Sequence, residues 1–483
     1  MRHYILLLIS AVFSIPISAQ DTEITGSVEL MWTTQRVDVR EYAYRILNDE
    51  SLMSKVSTRG TADSDTAVRW IDRLDDMPDY YRSFYDTYSN KVDEVLSGGS
   101  NWLTDPTQGK KGTDDYGNTE YYINLKTWNV KVPFNYPADI TNQWFIQTYI
   151  YAAISDSITP YDEELSIYFP YLCISLDYDM PQAFWTNNCG LRRFAISYVY
   201  TCKDGSGTAD VKLSANYVLL NKSENHSIYA DGFDTPQAIA DGVTEYHQLI
   251  DSILTDLPDR SVYYQAMYLN DWLTEHNAYS TALGTDSVKK IVWNPMSALR
   301  GTTGADGPVC EGYARAFKIL CNTIGIPAVL AVGEARSYKN GPKEAHMWNE
   351  VKMNDGYWYA VDVTWNDPVS NPVAKSGFEN HDWFILSNNT VVNGMKFSYS
   401  HPASLPSDNY YSQFWKPSIV SLVSNYTYDI DNKVCPVITE SRDLYMVHSL
   451  TGTLLGTYKT FQEACTGLPP GLYIINNRKT VIR

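Results

Sequence analysis

Nowhere in this 483-residue chain is there an apolar run of the ~18–20 residues that a membrane-crossing helix needs, so a polytopic membrane protein is excluded. Basic charge is also short. Lys and Arg number 38 against 56 Asp and Glu, and a net charge of -18 repels a nucleic-acid backbone, so no nucleic-acid partner is expected. The 27 Gly and 22 Pro are ordinary for the length and follow no period, which removes collagen-like and low-complexity classes. There is no Cys-x-x-Cys and no cysteine–histidine spacing of a zinc site, so neither a metal nor a cofactor is expected. The acidic turn Asp114-Asp115-Tyr116-Gly117-Asn118 lacks the ligand pattern of a calcium loop and reads as solvated. What remains is a globular chain, 44% hydrophobic, long enough for about three domains of ~150 residues. Its 38 tyrosines and 13 tryptophans suit half-buried rings with wet hydroxyls, as on extracellular β-rich surfaces.

The N-terminus points the same way. Arg2 and His3 precede an apolar stretch from Tyr4 to Ile17, and the small residues Ser18 and Ala19 follow. This order reads as a secretory signal peptide over residues 1–19, with an apolar part too short to cross a bilayer. The mature chain is therefore expected outside the cytoplasm, without a transmembrane segment. Seven cysteines, an odd number, leave at least one thiol unpaired in an exported protein. Cys435 and Cys465 can bridge only if the fold brings them together.

Residues 20–232 read as an N-terminal region of mixed, β-rich structure. Within it, RRFAISYVYTC and ADVKLSANYVLL alternate as strands of a hairpin around Lys203-Asp204-Gly205-Ser206-Gly207. The period then changes. Thr235-Pro236 offers a cap and a first-turn proline, and Ile239, Val243, Tyr246, Ile250, Ile253 and Leu257 recur at helical steps. A second helix is expected over about Val262 to His276, with Ala266, Leu269, Trp272 and Leu273 inward. Helical signals run to about residue 415. Beyond it, over 416–483, short alternating runs read as a small all-β module.

The chemistry concentrates in residues 233–415. Cys310 follows Gly307-Pro308, and Tyr313, Ala314, Phe317, Leu320, Cys321 and Ile324 recur at helical spacing until Gly325-Ile326-Pro327. Cys310 thus opens a helix, where unpaired N–H groups and the positive end of the dipole favour a sulfur anion. Cys321 lies about three turns further along and reads as buried and structural. Two strands follow, Ala345 to Val351 and Tyr357 to Trp365, around Asn354-Asp355-Gly356. A three-residue loop sets Asp362 opposite Trp348 and diagonal to His346, on one face; a two-residue loop would put it on the other. Cysteine at a helix start, histidine and aspartate supply the three roles of thiol catalysis: nucleophile Cys310, base His346 and orienting acid Asp362.

GPVCEGYARAF, GIP, HMWNEV and YWYAVDVTWND, with NDWLTEHNAYS and SALRGTTG upstream and HDWFILSNN downstream, resemble the transglutaminase-like superfamily in its bacterial, protease-like branch, over about Val262 to Asn389. The resemblance implies an α+β chain with a papain-like core, and the same three residues in the same roles. LDYDMPQAFWTNN, Leu176 to Asn188, is similar to an N-terminal segment of some such proteins. One departure is Asn270, where the related helix motif commonly has histidine. The tail, TGTLLGTY then LPPGLYIINNRKTVIR, resembles the C-terminal sorting domain of the type IX secretion pathway of Bacteroidetes, a small β-sandwich that directs export across the outer membrane.

The sequence therefore implies a secreted or cell-surface thiol enzyme acting on protein carboxamide or peptide bonds through a thioester, mainly as peptidase or amidase. Its partners would be a protein or peptide substrate and the secretion machinery. Trp348 and Trp365 stand where they could wall the acyl site. The alternatives are a cross-linking protein-glutamine gamma-glutamyltransferase and a non-catalytic surface adhesin on the same fold.

Overall fold

The computed structural model describes residues 24–39, 69–73, 77–98, 110–113, 119–186, 189–220, 230–233, 235–287, 289–354, 356–367, 381–401, 445–448, 454–458, 471–475 and 478–482. The signal-peptide stretch, the acidic turn at 114–118 and the cysteines Cys435 and Cys465 lie outside them. The architecture is α+β, as the sequence implied. The chain forms two compact units, Met1–Thr61 with Val68–Glu245, and Ala62–Ala67 with Tyr246–Arg483.

The first unit is built on an antiparallel sheet. Strands β1 (Ile24–Asp38), β2 (Lys110–Thr113), β3 (Thr119–Asn135), β4 (Cys189–Lys203) and β5 (Ser206–Leu220) lie in the order β1-β4-β5-β3-β2. The expected β4–β5 hairpin is present. Lys203 pairs with Ser206 around Asp204 and Gly205, both at positive φ, the two-residue turn whose twist matches the strands. Helix α1 (Asp79–Leu96) and the 37-residue α2 (Gln143–Asp179) cover the sheet; Phe84 and Phe169 each set a ring against Tyr217 of β5. Gly190 is needed at this contact, because a Cβ there would meet Cys173 Sγ of α2 at 2.0 Å.

The length of α2 was not evident from its sequence. Asn142 caps it by accepting the Trp144 N–H at 2.9 Å, and Ile146, Ile150, Ile154 and Ile158 make a buried stripe at steps of four. Pro160 and Pro170 lie inside the helix, and each removes one helical bond. Packing over the whole apolar face offsets that loss.

The second unit holds the region of interest. Helix α3 (Pro236–Leu254) crosses the division at Glu245; within the second unit, α4 (Val262–His276), α5 (Pro295–Leu299) and α6 (Cys310–Thr323) precede strands β6 (Ala328–Ala335), β7 (Glu344–Lys352) and β8 (Trp358–Val361), which pair antiparallel in that order. Thr235 caps α3, its Oγ1 accepting the Ala238 N–H at 3.0 Å. In α4, Ala266, Leu269 and Leu273 are buried as expected, whereas Trp272 is only half-buried and stacks on His276. Helix α6 is buried along Glu311 to Cys321, including Arg315 and Lys318, and it ends where Gly325 takes φ +81°. Asn349 Nδ2 of β7 donates to the Ala314 carbonyl at 2.8 Å and fastens the sheet to that helix. Fully buried side chains such as Phe317 each contribute roughly 1.5–3 kcal/mol.

Short elements complete this unit: α7 (Val363–Asn366), β9 (Val391–Val392), β10 (Met395–Lys396) and α8 (Phe397–Ser400). The strand expected to run on to Trp365 stops at Val361, because Asp362 becomes the cap of α7 and turns the chain. In the tail, β11 (Tyr445–His448), β12 (Leu454–Tyr458), β13 (Gly471–Ile475) and β14 (Arg478–Ile482) form one antiparallel sheet in the order β12-β11-β13-β14.

Candidate active site

Cys310 stands at the first position of α6. Pro308 cannot continue a helix backwards and Val309 is extended, so the helix starts at the cysteine, with Tyr313 N–H reaching Val309 O at 3.1 Å. The loop before it runs hard against residues 278–280. Ser280 N–H donates to Pro308 O at 3.1 Å, and a Cβ on Gly307 would meet the Ala278 carbonyl at 2.0 Å. Only glycine permits that approach, which brings Tyr279 beside Cys310. The Cys310 backbone N–H donates to the Tyr279 phenol oxygen.

The β7–β8 hairpin carries the other two residues. Asn349 pairs with Val361 and Val351 with Tyr359, and the Met353 N–H closes on Tyr357 O at 2.9 Å. This is the register of a three-residue loop, with Gly356 at φ +83°, and it places His346 and Asp362 on one face. His346 Nε2 donates to Asp362 Oδ2 at 2.7 Å, which leaves Nδ1 for the Cys310 thiol that faces the ring. Cys310 is half-buried, while His346 and Asp362 are buried. The structure thus brings the three residues singled out in the sequence to one point.

Asp362 has two further partners. Its Oδ1 accepts the Trp365 N–H at 3.1 Å, and its Oδ2 also accepts from His401 Nε2 at 3.1 Å. Segment 383–386 flanks β8. Asp362 N–H donates to Trp383 O at 2.9 Å, and Ala360 exchanges two backbone bonds with Leu386. Asn366 then links Trp383 N–H to Asn270 Oδ1 of α4. Asn270, the departure from the related motif, is thereby a buried structural amide. Trp348 packs with Ala331, Ala360, Trp383 and Phe397 in the core, whereas half-buried Trp365 stacks on His346 at 5.1 Å.

The electrostatics follow from burial and these contacts. Burial alone would lower His346; the charge and hydrogen bond of Asp362, helped by Cys310, overcome it and bring the imidazole up to about 10. Burial alone would raise Asp362, but His346 and His401 hold it well below the usual carboxylate range. His401 is pushed down to about 4, by burial first. Burial also raises the Cys321 thiol, an inert core group as expected, and the Tyr279 phenol, which feels the Cys310 charge as well. A second carboxylate, Asp367, is raised to about 6 by burial although it accepts from the Tyr313 hydroxyl and the Tyr279 N–H.

Among the described residues, His346, Asp362 and His401 are the group that could hold a metal ion, their ligand atoms lying within 4.8 Å of one another. Here these atoms satisfy one another as hydrogen bonds. A separate cleft of about 430 Å³ opens among Tyr263, His381, Phe384, Thr390 and Val391, and none of Cys310, His346 and Asp362 lines it. Sequence reasoning singled out neither Tyr279 nor Asp367, although both lie in motifs that carried the family resemblance, and it missed His401, for which neither period nor motif spacing gave a signal. Chemically, the site holds a thiol at a helix start, an imidazole poised to carry its proton, a fixed carboxylate, and an N–H and an O–H side by side.

Residues 251–363 match the family model of the transglutaminase-like superfamily core. The chain is 25% identical over 123 residues to the kyphoscoliosis peptidase of Mus musculus, covering 24% of this chain and 18% of that protein. It is also similar to a crystal structure from Cytophaga hutchinsonii provisionally named a cysteine protease, at 18% identity, over 40% of this chain and 65% of that one, with a TM-score of 0.19. The chain thus spans less than a fifth of the mouse protein and just under two thirds of the solved one.

Proposed function

We propose that this protein is a secreted thiol enzyme in which Cys310, His346 and Asp362 open carboxamide bonds of proteins. The observation that carries this is the 2.7 Å bond between His346 and Asp362, with Cys310 facing the same imidazole from a helix start. The Cys310 sulfur adds to the carbonyl carbon, and the developing oxyanion takes the Cys310 N–H and the Tyr279 O–H. Collapse expels the amine, which leaves with the proton of His346 Nδ1, and a thioester remains. Neutral Nδ1 then deprotonates water, hydroxide adds to the thioester, and the acid departs as the thiol is restored. Asp362 keeps Nε2 protonated throughout. The family match and the named peptidase relative support a reaction of this type.

Hydrolysis is the favoured fate of the thioester. Transfer to a lysine needs an apolar channel that excludes water, whereas Cys310 is half-buried and water reaches it. The acidic surface draws cationic amines, but long-range attraction does not dry an acyl site. Incubation with a glutamine-bearing protein and labelled cadaverine, while scoring ammonia and new N-termini, is expected to show bond cleavage or deamidation outrunning label incorporation. Label entering faster would make the enzyme a cross-linking transglutaminase.

Export is part of the same reading. The leader-like N-terminus and the sorting-like tail support passage across two membranes, to the cell surface or beyond. Deleting residues 416–483 is expected to leave an active enzyme trapped in the periplasm, scored by fractionation. A shortened protein still found outside the cell would remove the sorting role from the tail.

A further inference from the structure

We infer that His401 is a positioning residue of this site: it holds the Asp362 carboxylate in the one orientation that serves His346. The inference rests on the thiol-enzyme reading above. Its basis is geometric. His401 Nε2 lies 3.1 Å from Asp362 Oδ2, the same oxygen that His346 Nε2 reaches at 2.7 Å. A carboxylate only accepts, so both nitrogens donate to it. A neutral imidazole carries one N–H, and here the carboxylate claims it at Nε2; Nδ1 is then an acceptor, 3.0 Å from Ser400 Oγ, whose one hydrogen the Phe397 carbonyl also accepts at 3.1 Å. The carboxylate sets the tautomer.

The ring cannot swing away. It stacks on Phe397 at 4.3 Å and meets Trp365 at 4.6 Å and Trp348 at 4.7 Å. The backbone is pinned as well, since the His401 N–H donates to Phe397 O and the Arg336 N–H, at the end of β6, to Ser400 O, both at 2.8 Å. Together with the Trp365 N–H on Oδ1, this gives the Asp362 carboxylate three donors and leaves it no freedom to turn. A carboxylate that turned would give up its bond to His346, and the imidazole would lose its hold on the thiol proton. Burial keeps His401 neutral, so it adds a donor and no competing positive charge beside His346. Among the described residues, the titratable groups of this network are Cys310, Tyr279, His346, Asp362 and His401, with Glu344 and Asp367 beside Tyr279. His401 lies outside residues 251–363, the segment that carries the family match.

The test is the pH profile of iodoacetamide alkylation of Cys310 in the full-length protein, read by mass spectrometry, for wild type, His401→Phe, His401→Gln and Asp362→Asn. Phenylalanine fills the aromatic cage but donates nothing; the glutamine amide reaches about where Nε2 stands and donates. His401→Phe is expected to slow alkylation near pH 6 about tenfold and move the midpoint of the profile up by about one pH unit, with an unfolding temperature near wild type. His401→Gln should recover most of both. If wild type and Asp362→Asn differ while His401→Phe matches wild type, the positioning role is overturned and the triad stands. A wild-type Cys310 that reacts no faster than free cysteine overturns both.

Discussion

Replacing Cys310 by alanine is expected to reduce turnover to the uncatalysed background while leaving the unfolding midpoint unchanged. The side chain is half-buried at the first position of α6, outside the packed stretch from Glu311 to Cys321, so little packing is lost. Alanine is also the best helix former. What disappears is the thiol that faces His346, and removing a nucleophile from a triad costs on the order of 10⁶ in rate. Carboxamide hydrolysis together with thermal unfolding separates the cases. Retained turnover would take the thiol out of the mechanism, and a collapse of the midpoint would make Cys310 a structural residue.

Asp362→Asn should come next in size, at on the order of 10⁴ in rate, by the logic that an amide presents the wrong partner to the imidazole. Asparagine still caps α7 through Oδ1, so the hairpin should survive. It cannot accept both the His346 and His401 N–H bonds at one oxygen while keeping that cap. The sign of the accompanying pH effect is set by the two shifts. His346 is raised, so its contribution is full below the free imidazole value near ~6.5 and is lost as pH rises through about 10. Asp362 is lowered, so its contribution is present above its ordinary value near ~4 and is lost in acid. The stability gap between wild type and variant should therefore be widest between roughly pH 4 and 6.5 and close towards about 10. Urea unfolding at several pH values measures it; an equal rate in the two proteins would remove Asp362 from the reaction.

The parts that could be read in advance share one property: short-range pattern sets them. Pro308 and the apolar period after it mark the start of α6, and the glycine of Asn354-Asp355-Gly356 gives the hairpin its loop, from which the common face of His346 and Asp362 follows. The turn at Asp204-Gly205 is of the same kind. The parts that could not be read depend on tertiary contact. His401 comes 39 residues after Asp362 in a stretch, Phe397 to His401, with no period of its own. Tyr279 meets Cys310 only because Gly307 lets two loops touch. Trp365 looked like strand until Asp362, needed elsewhere, turned the chain into α7. Helix α2 lies in the region read as mixed and β-rich, and it holds two prolines whose local cost its packing outweighs.

Asp362 has a dual duty with an evolutionary corollary. Its carboxylate accepts from the His346 imidazole with one oxygen and starts a helix with the other, so on the proposed mechanism one side chain serves both chemistry and architecture. Cys310 has no such second duty. A descendant that gave up catalysis and kept the fold as an adhesin could discard the cysteine at once, while the aspartate would be retained for the sake of the chain turn at α7. Loss of function in such a lineage should leave a trace in that order: the nucleophile gone and the carboxylate still in place.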